Sequence, residues 1–97
     1  MATYITLVNW TDQGIRNAKD TVKRAQAARQ AFEKMGGRFR DVYWTLGQYD
    51  IVLTFDAPDD ETATKLGLMV GMEGNIRTTT LRAFAEQEME RILQALP

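Results

Sequence analysis

The 97-residue chain is 44% hydrophobic and 26% charged with a net charge of −1, a balance expected of one domain over residues 1–97 with one core. It has no cysteine and no histidine, which excludes disulfides, thiolate chemistry, histidine-ligated haem, imidazole-held zinc and a Ser-His-Asp triad, so neither a metal nor a cofactor is expected. No apolar run approaches the ~20 residues of a membrane span, and the chain enters a strand without a basic and then apolar leader, so a cytoplasmic location and no membrane partner are expected.

The elements follow in chain order. Thr3 to Trp10 is rich in β-branched and aromatic residues and alternates around Ile5 and Leu7, which predicts a first strand. Thr11 or Asp12 offers a side-chain oxygen to cap a helix. From Asp12 to about Met35, Ile15, Ala18, Val22, Ala25, Phe32 and Met35 form one apolar stripe of a long helix, which Gly36-Gly37 stops. Asp12 with Arg16 and Asp20 with Arg24 stand four apart, the spacing of helix-surface ion pairs.

Arg38–Leu46 and Tyr49–Asp56 are the next two strands, separated by Gly47-Gln48. Glycine at the first central position predicts a type II′ turn. Leu46 then opposes Tyr49, Trp44 opposes Ile51 and Val42 opposes Leu53, so these side chains share an apolar, helix-covered face with Phe55. Pro58-Asp59-Asp60-Glu61 starts a helix with carboxylates in its first turn, and Ala63, Leu66 and Val70 make its inner stripe. Asn75–Phe84 is a fourth strand. Glu86–Leu96 is a short helix with Met89, Ile92, Leu93 and Leu96 on its buried side.

The order βαββαβ with an added helix gives an α+β, ferredoxin-like domain: an antiparallel four-stranded sheet of spatial order 4-1-3-2 with both long helices on one face. The other face is expected to carry Tyr4, Thr6, Val8 and Trp10, Tyr43 and Thr45, Asp50, Val52 and Thr54, and Thr78, Thr80 and Arg82. Such a face has too few charges for open solvent. A second copy is the expected cover, all the more because a chain this short buries only about 60–65% of its unfolded surface. Trp10, Thr45, Asp50 and Thr78 should meet at one end of it, where the bland reading of Asp50 is a structural hydrogen bond or a pair with Arg77 or Arg82.

Charge is uneven along the chain. Through Arg40 there are eight Lys/Arg against three Asp/Glu, and afterwards four against ten. The plain reading is a solvated basic helix; the sharper one is a surface for an acidic neighbour, with nothing that favours nucleic acid.

Leu46-Gly47-Gln48-Tyr49-Asp50-Ile51-Val52, Ala57-Pro58-Asp59-Asp60-Glu61, Gly74-Asn75-Ile76-Arg77-Thr78 and Leu81-Arg82-Ala83-Phe84 resemble the GYD-domain family of small bacterial and archaeal proteins, as do Thr11-Asp12-Gln13-Gly14-Ile15 and Lys19-Asp20. Gln48 is a departure inside the tripeptide that names the family. The resemblance implies a dimeric α/β barrel in which two sheets face each other, and it implies no reaction. Gly47, Tyr49 and Asp50 also resemble the Gly-x-Tyr-Asp turn of the effector domains of feast/famine regulators, near which small molecules bind between subunits; no helix-turn-helix accompanies it here.

The leading expectation is therefore a non-catalytic homo-oligomer that binds a small molecule or a partner near the Gly47–Asp50 turn. Its candidate ligand-binding residues are Trp10, Tyr43, Thr45, Gly47, Tyr49, Asp50, Thr78 and Arg82, with none assigned to catalysis or metal. The alternative is a cofactor-free oxygenase or isomerase of the barrel type, using Asn9, Trp10, Tyr43, Trp44 and Arg82 but lacking an evident base. RNA recognition is the weakest class, because the exposed face of the third strand offers Asp50, Val52 and Thr54 where stacking aromatics are required.

Overall fold

A computed structural model describes residues 1–97 as an α+β domain. Its elements are β1 (Ala2–Trp10), α1 (Asp12–Arg16), a 3-10 turn (Ala18–Asp20), α2 (Thr21–Lys34), β2 (Arg38–Trp44), β3 (Ile51–Ala57), α3 (Asp60–Met72), β4 (Ile76–Ala83) and α4 (Glu86–Gln94). The sheet is antiparallel in the order β2-β3-β1-β4, the expected 4-1-3-2 read from the other edge.

The predicted long first helix is broken at Asn17, whose φ of −108° and ψ of 31° leave the helical region. Gly14 presses against the backbone of Asn75, where an added Cβ would lie 1.8 Å from the carbonyl oxygen. The Thr11 N–H donates to that same oxygen at 3.1 Å, and the Thr11 hydroxyl accepts from the Gly14 N–H, capping α1. Arg24 does not pair with Asp20; it donates to the carbonyls of Asn17 at 2.8 Å and Gly14 at 3.3 Å, satisfying the end of α1. Nor does Arg16 pair with Asp12, and the ion pairs that form are Arg40–Asp56, Lys65–Glu61 and Arg82–Glu88. With the helix broken, Ile15 and Val22 are exposed instead of joining the stripe. Gly36, at φ +84°, ends α2 as expected.

Asp59 caps α3 by accepting from the Thr62 N–H at 2.8 Å, and that bond holds its carboxyl below the usual range. Ala63 and Leu66 are buried beneath α3, with Val70 packed beside them. The centre of the core is aromatic: Tyr4 stacks on Phe55 at 5.1 Å, and Phe32 meets Phe55 and Phe39 edge-on at 5.1 and 5.5 Å. Each such pair adds about 0.5–1.5 kcal/mol beyond simple burial. The Tyr4 hydroxyl donates to Asp60 at 2.5 Å. Burial, and then this bond to a carboxylate, push the phenol up to about 12.

Register corrects the expected faces. Tyr4 pairs with Phe55, Thr6 with Leu53 and Val8 with Ile51, and opposed residues share a face. Tyr4, Thr6, Val8 and Trp10 thus lie under the helices, with Tyr4, Thr6 and Val8 buried. On β4, Thr78, Thr80 and Arg82 oppose Val8, Thr6 and Tyr4, so they too lie on the helix side. The expectation had placed both sets on the other face. β1 is apolar at both parities, so its pattern fits either way round; the Tyr4–Phe55 stack and the Asp60 bond hold the arrangement that forms. Trp44, Ile51, Val42, Leu53 and Phe55 keep the expected pairings and face. A bulge at Arg40, between Phe39 and Asp41, allows Phe39 and Val42 to point the same way.

Two features lie outside the core. α4 buries no residue, and Met89, Ile92, Leu93 and Leu96 are all exposed, contrary to the buried stripe expected. The radius of gyration, 14.6 Å, exceeds the roughly 12.5 Å of a compact chain this long, as a projecting helix requires. α2 packs on β2, and α3 on β3 and β4; between the two helices a cavity of about 110 Å³ remains above the sheet.

Candidate functional site

The connection between β2 and β3 is wider than a two-residue turn. The strands stop at Trp44 and Ile51, the Thr45 N–H donates to the Asp50 carbonyl at 2.9 Å, and Leu46 does not pair with Tyr49 but stands fully exposed. The loop is opened because its polar groups are drawn to β1. The Asn9 amide donates to the Gln48 carbonyl at 2.8 Å, and the Asp50 N–H donates to the Val8 carbonyl at 2.9 Å. Across the loop the Thr45 hydroxyl donates to the Tyr49 carbonyl at 2.6 Å. Gly47 has φ +110°, a conformation that disfavours any side chain.

Asp50 is committed in the same way. Its Oδ2 accepts the Trp10 backbone N–H at 2.9 Å, satisfying the last residue of β1 at a point where β3 offers no ladder carbonyl. One donor at this end is unspent: the indole Nε1 of Trp10 is buried without an acceptor.

The structure therefore gathers Trp10, Thr45, Tyr49 and Asp50 around the loop, with Gly47 at its tip, and separates the rest. Tyr43 opposes Val52 and is exposed on the helix-free face. Thr78 lies opposite Val8, beneath the helices. Arg82 lies at the far end of the sheet opposite Tyr4, 4.5 Å above the Phe84 ring and 3.4 Å from Glu88. Glu88 also accepts from the Ala85 N–H, the main reason its carboxyl lies below the usual range, with Arg82 adding to it. Arg82 and Glu88 thus anchor the start of α4. The residues considered for catalysis are divided as well: Asn9 and Tyr43 on one face, Trp10, Trp44 and Arg82 on the other. No group of three or more acidic residues is placed to hold a metal ion.

The helix-free face keeps Tyr43, Val52 and Thr54 as expected, but its β1 and β4 residues are the opposite set from those expected. At its centre lie Ile5 and Leu7 of β1, Val52 and Thr54 of β3, Tyr43 of β2, and Thr79 and Leu81 of β4. Charge is confined to the rim, at Arg38, Asp41, Asp56 and Arg77. Tyr43 is 63% and Leu81 46% exposed. The signal for it was present in β1, where Ile5 and Leu7 are too apolar for water if Tyr4 and Val8 point inward.

Fold and surface together define a small α+β domain whose antiparallel sheet is covered by helices on one side and bare and apolar on the other. The chain matches the GYD domain over residues 4–93 and belongs to that family. It is also similar to the crystal structure of TTHA0845 from Thermus thermophilus, at 26% identity and a TM-score of 0.55, over 88% of this chain and 95% of that one. Among curated proteins none matches. No helix is long and apolar enough to cross a membrane.

Proposed function

We propose that this protein is a non-catalytic, self-associating binding module, in which two copies bring their helix-free sheet faces together. The observation that carries this reading is the bare apolar centre formed by Ile5, Leu7, Tyr43, Val52 and Leu81 with charge only at the rim. A single domain leaves this surface in water, where a sheet face of this composition is unfavourable.

The magnitudes set how strong the pairing can be. Covering a half-exposed apolar side chain contributes about 1 kcal/mol; Tyr43 and Leu81 are that exposed and Ile5, Leu7 and Val52 less so, so the two faces together contribute less than about 10 kcal/mol to a dimer. Loss of independent motion costs about 4–15 kcal/mol. The sheet face alone supports a weak dimer, and the exposed stripe of α4 is the reserve that would strengthen it. Sedimentation over a concentration series tests this: the wild type should associate, and replacing the exposed Tyr43 and Leu81 together by Lys should abolish association while preserving the circular dichroism of the fold. A wild-type chain that stays monomeric would remove the proposal.

A further inference from the structure

We infer that the cavity between α2 and α3 is a binding site for a small neutral molecule with a short apolar body and a single hydroxyl or carbonyl group. This site is separate from the sheet-face interface and from the Trp10–Asp50 end.

The cavity measures about 110 Å³, opens partly to solvent, and has 22 lining residues, 14 of them hydrophobic. Its floor is Val8, Ile51 and Leu53 of the sheet; its walls are Ala25 and Ala28 of α2 and Met69 and Val70 of α3. The space exists because α2 presents alanines where a leucine would reach across, and because α3 presents Gly67, around which an added methyl would find no atom within 4 Å. An apolar cavity of roughly 150 Å³ takes benzene; this one suits a single ring or a branched aliphatic group of similar or slightly smaller size.

The polar groups on the lining narrow the chemistry. The Thr6 and Thr80 hydroxyls bond to each other at 3.1 Å, which uses one of their two protons and leaves the other, with spare lone pairs, for a ligand oxygen. Either hydroxyl can be the donor in that bond, and because both line the cavity the remaining proton can be turned towards a ligand whichever residue carries it. Arg24 also lines it, but its guanidinium is taken by the Asn17 and Gly14 carbonyls and is not free for an anion. Glu73, exposed on the same lining, repels one. A charged ligand would also lose its hydration against the apolar floor.

The test is a titration of the full chain with phenol, benzene and benzoate, followed through backbone amide NMR shifts. Phenol should produce saturable shifts at Thr6, Val8, Ala28 and Val70, leaving Leu7 and Val52 of the open face unmoved. Benzene should bind about fivefold more weakly, the equivalent of one neutral hydrogen bond, and benzoate should not bind. Thr6→Val should remove the preference for phenol over benzene. Ala28→Leu, or Val70→Phe if the first fails to fold, should abolish binding of both. No saturable shift with phenol or benzene, binding that survives a filled cavity, or benzoate binding as well as phenol would each overturn the inference. Movement of the Leu7 and Val52 amides alone would place binding at the sheet face and overturn it too.

Discussion

Asp50, Tyr4 and Gly14 show how single residues hold this structure, and each yields a measurable consequence. Because Asp50 accepts the Trp10 N–H, Asp50→Ala should cost about 1–2 kcal/mol in urea unfolding, while Asp50→Asn, which keeps an acceptor oxygen, should recover most of it. A mainly ligand-binding Asp50 would leave stability unchanged in both. For Tyr4 the folded pKa is raised, to about 12 against a usual 10. The stabilisation is therefore fully present below pH 10 and is lost as pH rises towards 12. One tyrosinate absorbance step should fall near pH 12 and be missing in Tyr4→Phe; an unchanged titration in that variant would contradict the assignment.

At the scale of the elements, the glycines separate close packing from open space. Gly14→Ala drives a methyl into the Asn75 carbonyl and should cost more than about 3 kcal/mol, as large backbone clashes do. Gly67→Ala and Gly71→Ala meet nothing within 4 Å on α3 and should each stabilise the fold by about 0.5–1 kcal/mol through better helix propensity. Thermal denaturation of the three variants checks the contrast.

The type and order of the sheet strands and of α3 and α4 were legible in the sequence, because Trp44 opposite Ile51 and Val42 opposite Leu53 follow from the spacing of the hairpin alone. The break at Asn17 was not, since it depends on Asn75 meeting Gly14 from a distant part of the chain. The face of β1 was not either, because Tyr4/Val8 and Ile5/Leu7 are comparably apolar and only the aromatic core distinguishes them. Of the candidate ligand-binding residues, those at the β2–β3 loop do gather. Thr78 and Arg82 were misplaced because local pattern leaves the face of β4 open, and Tyr43 keeps its expected face while Trp10 turns to the other. The cavity arises from alanines that look, in sequence, like good helix formers and nothing more.

For the whole molecule, the uncovered apolar surfaces are the sheet face and one stripe of α4, Met89, Ile92, Leu93 and the following Leu96. A reciprocal pairing of sheets would cover the first, and the apolar stripe of α4, unburied on its own chain, is available to pack against the neighbour. Ile92→Lys should then weaken association without lowering the stability of the single domain, because α4 buries no residue on its own chain.

Analytical ultracentrifugation from about 1 to 100 µM, the range appropriate to an interface of this strength, tests the central claim most directly. The account predicts a concentration-dependent shift from the 11.0 kDa monomer to a dimer, absent when Tyr43 and Leu81 are both replaced by lysine. A single monomeric species at every concentration, or a dimer indifferent to those two substitutions, would contradict it.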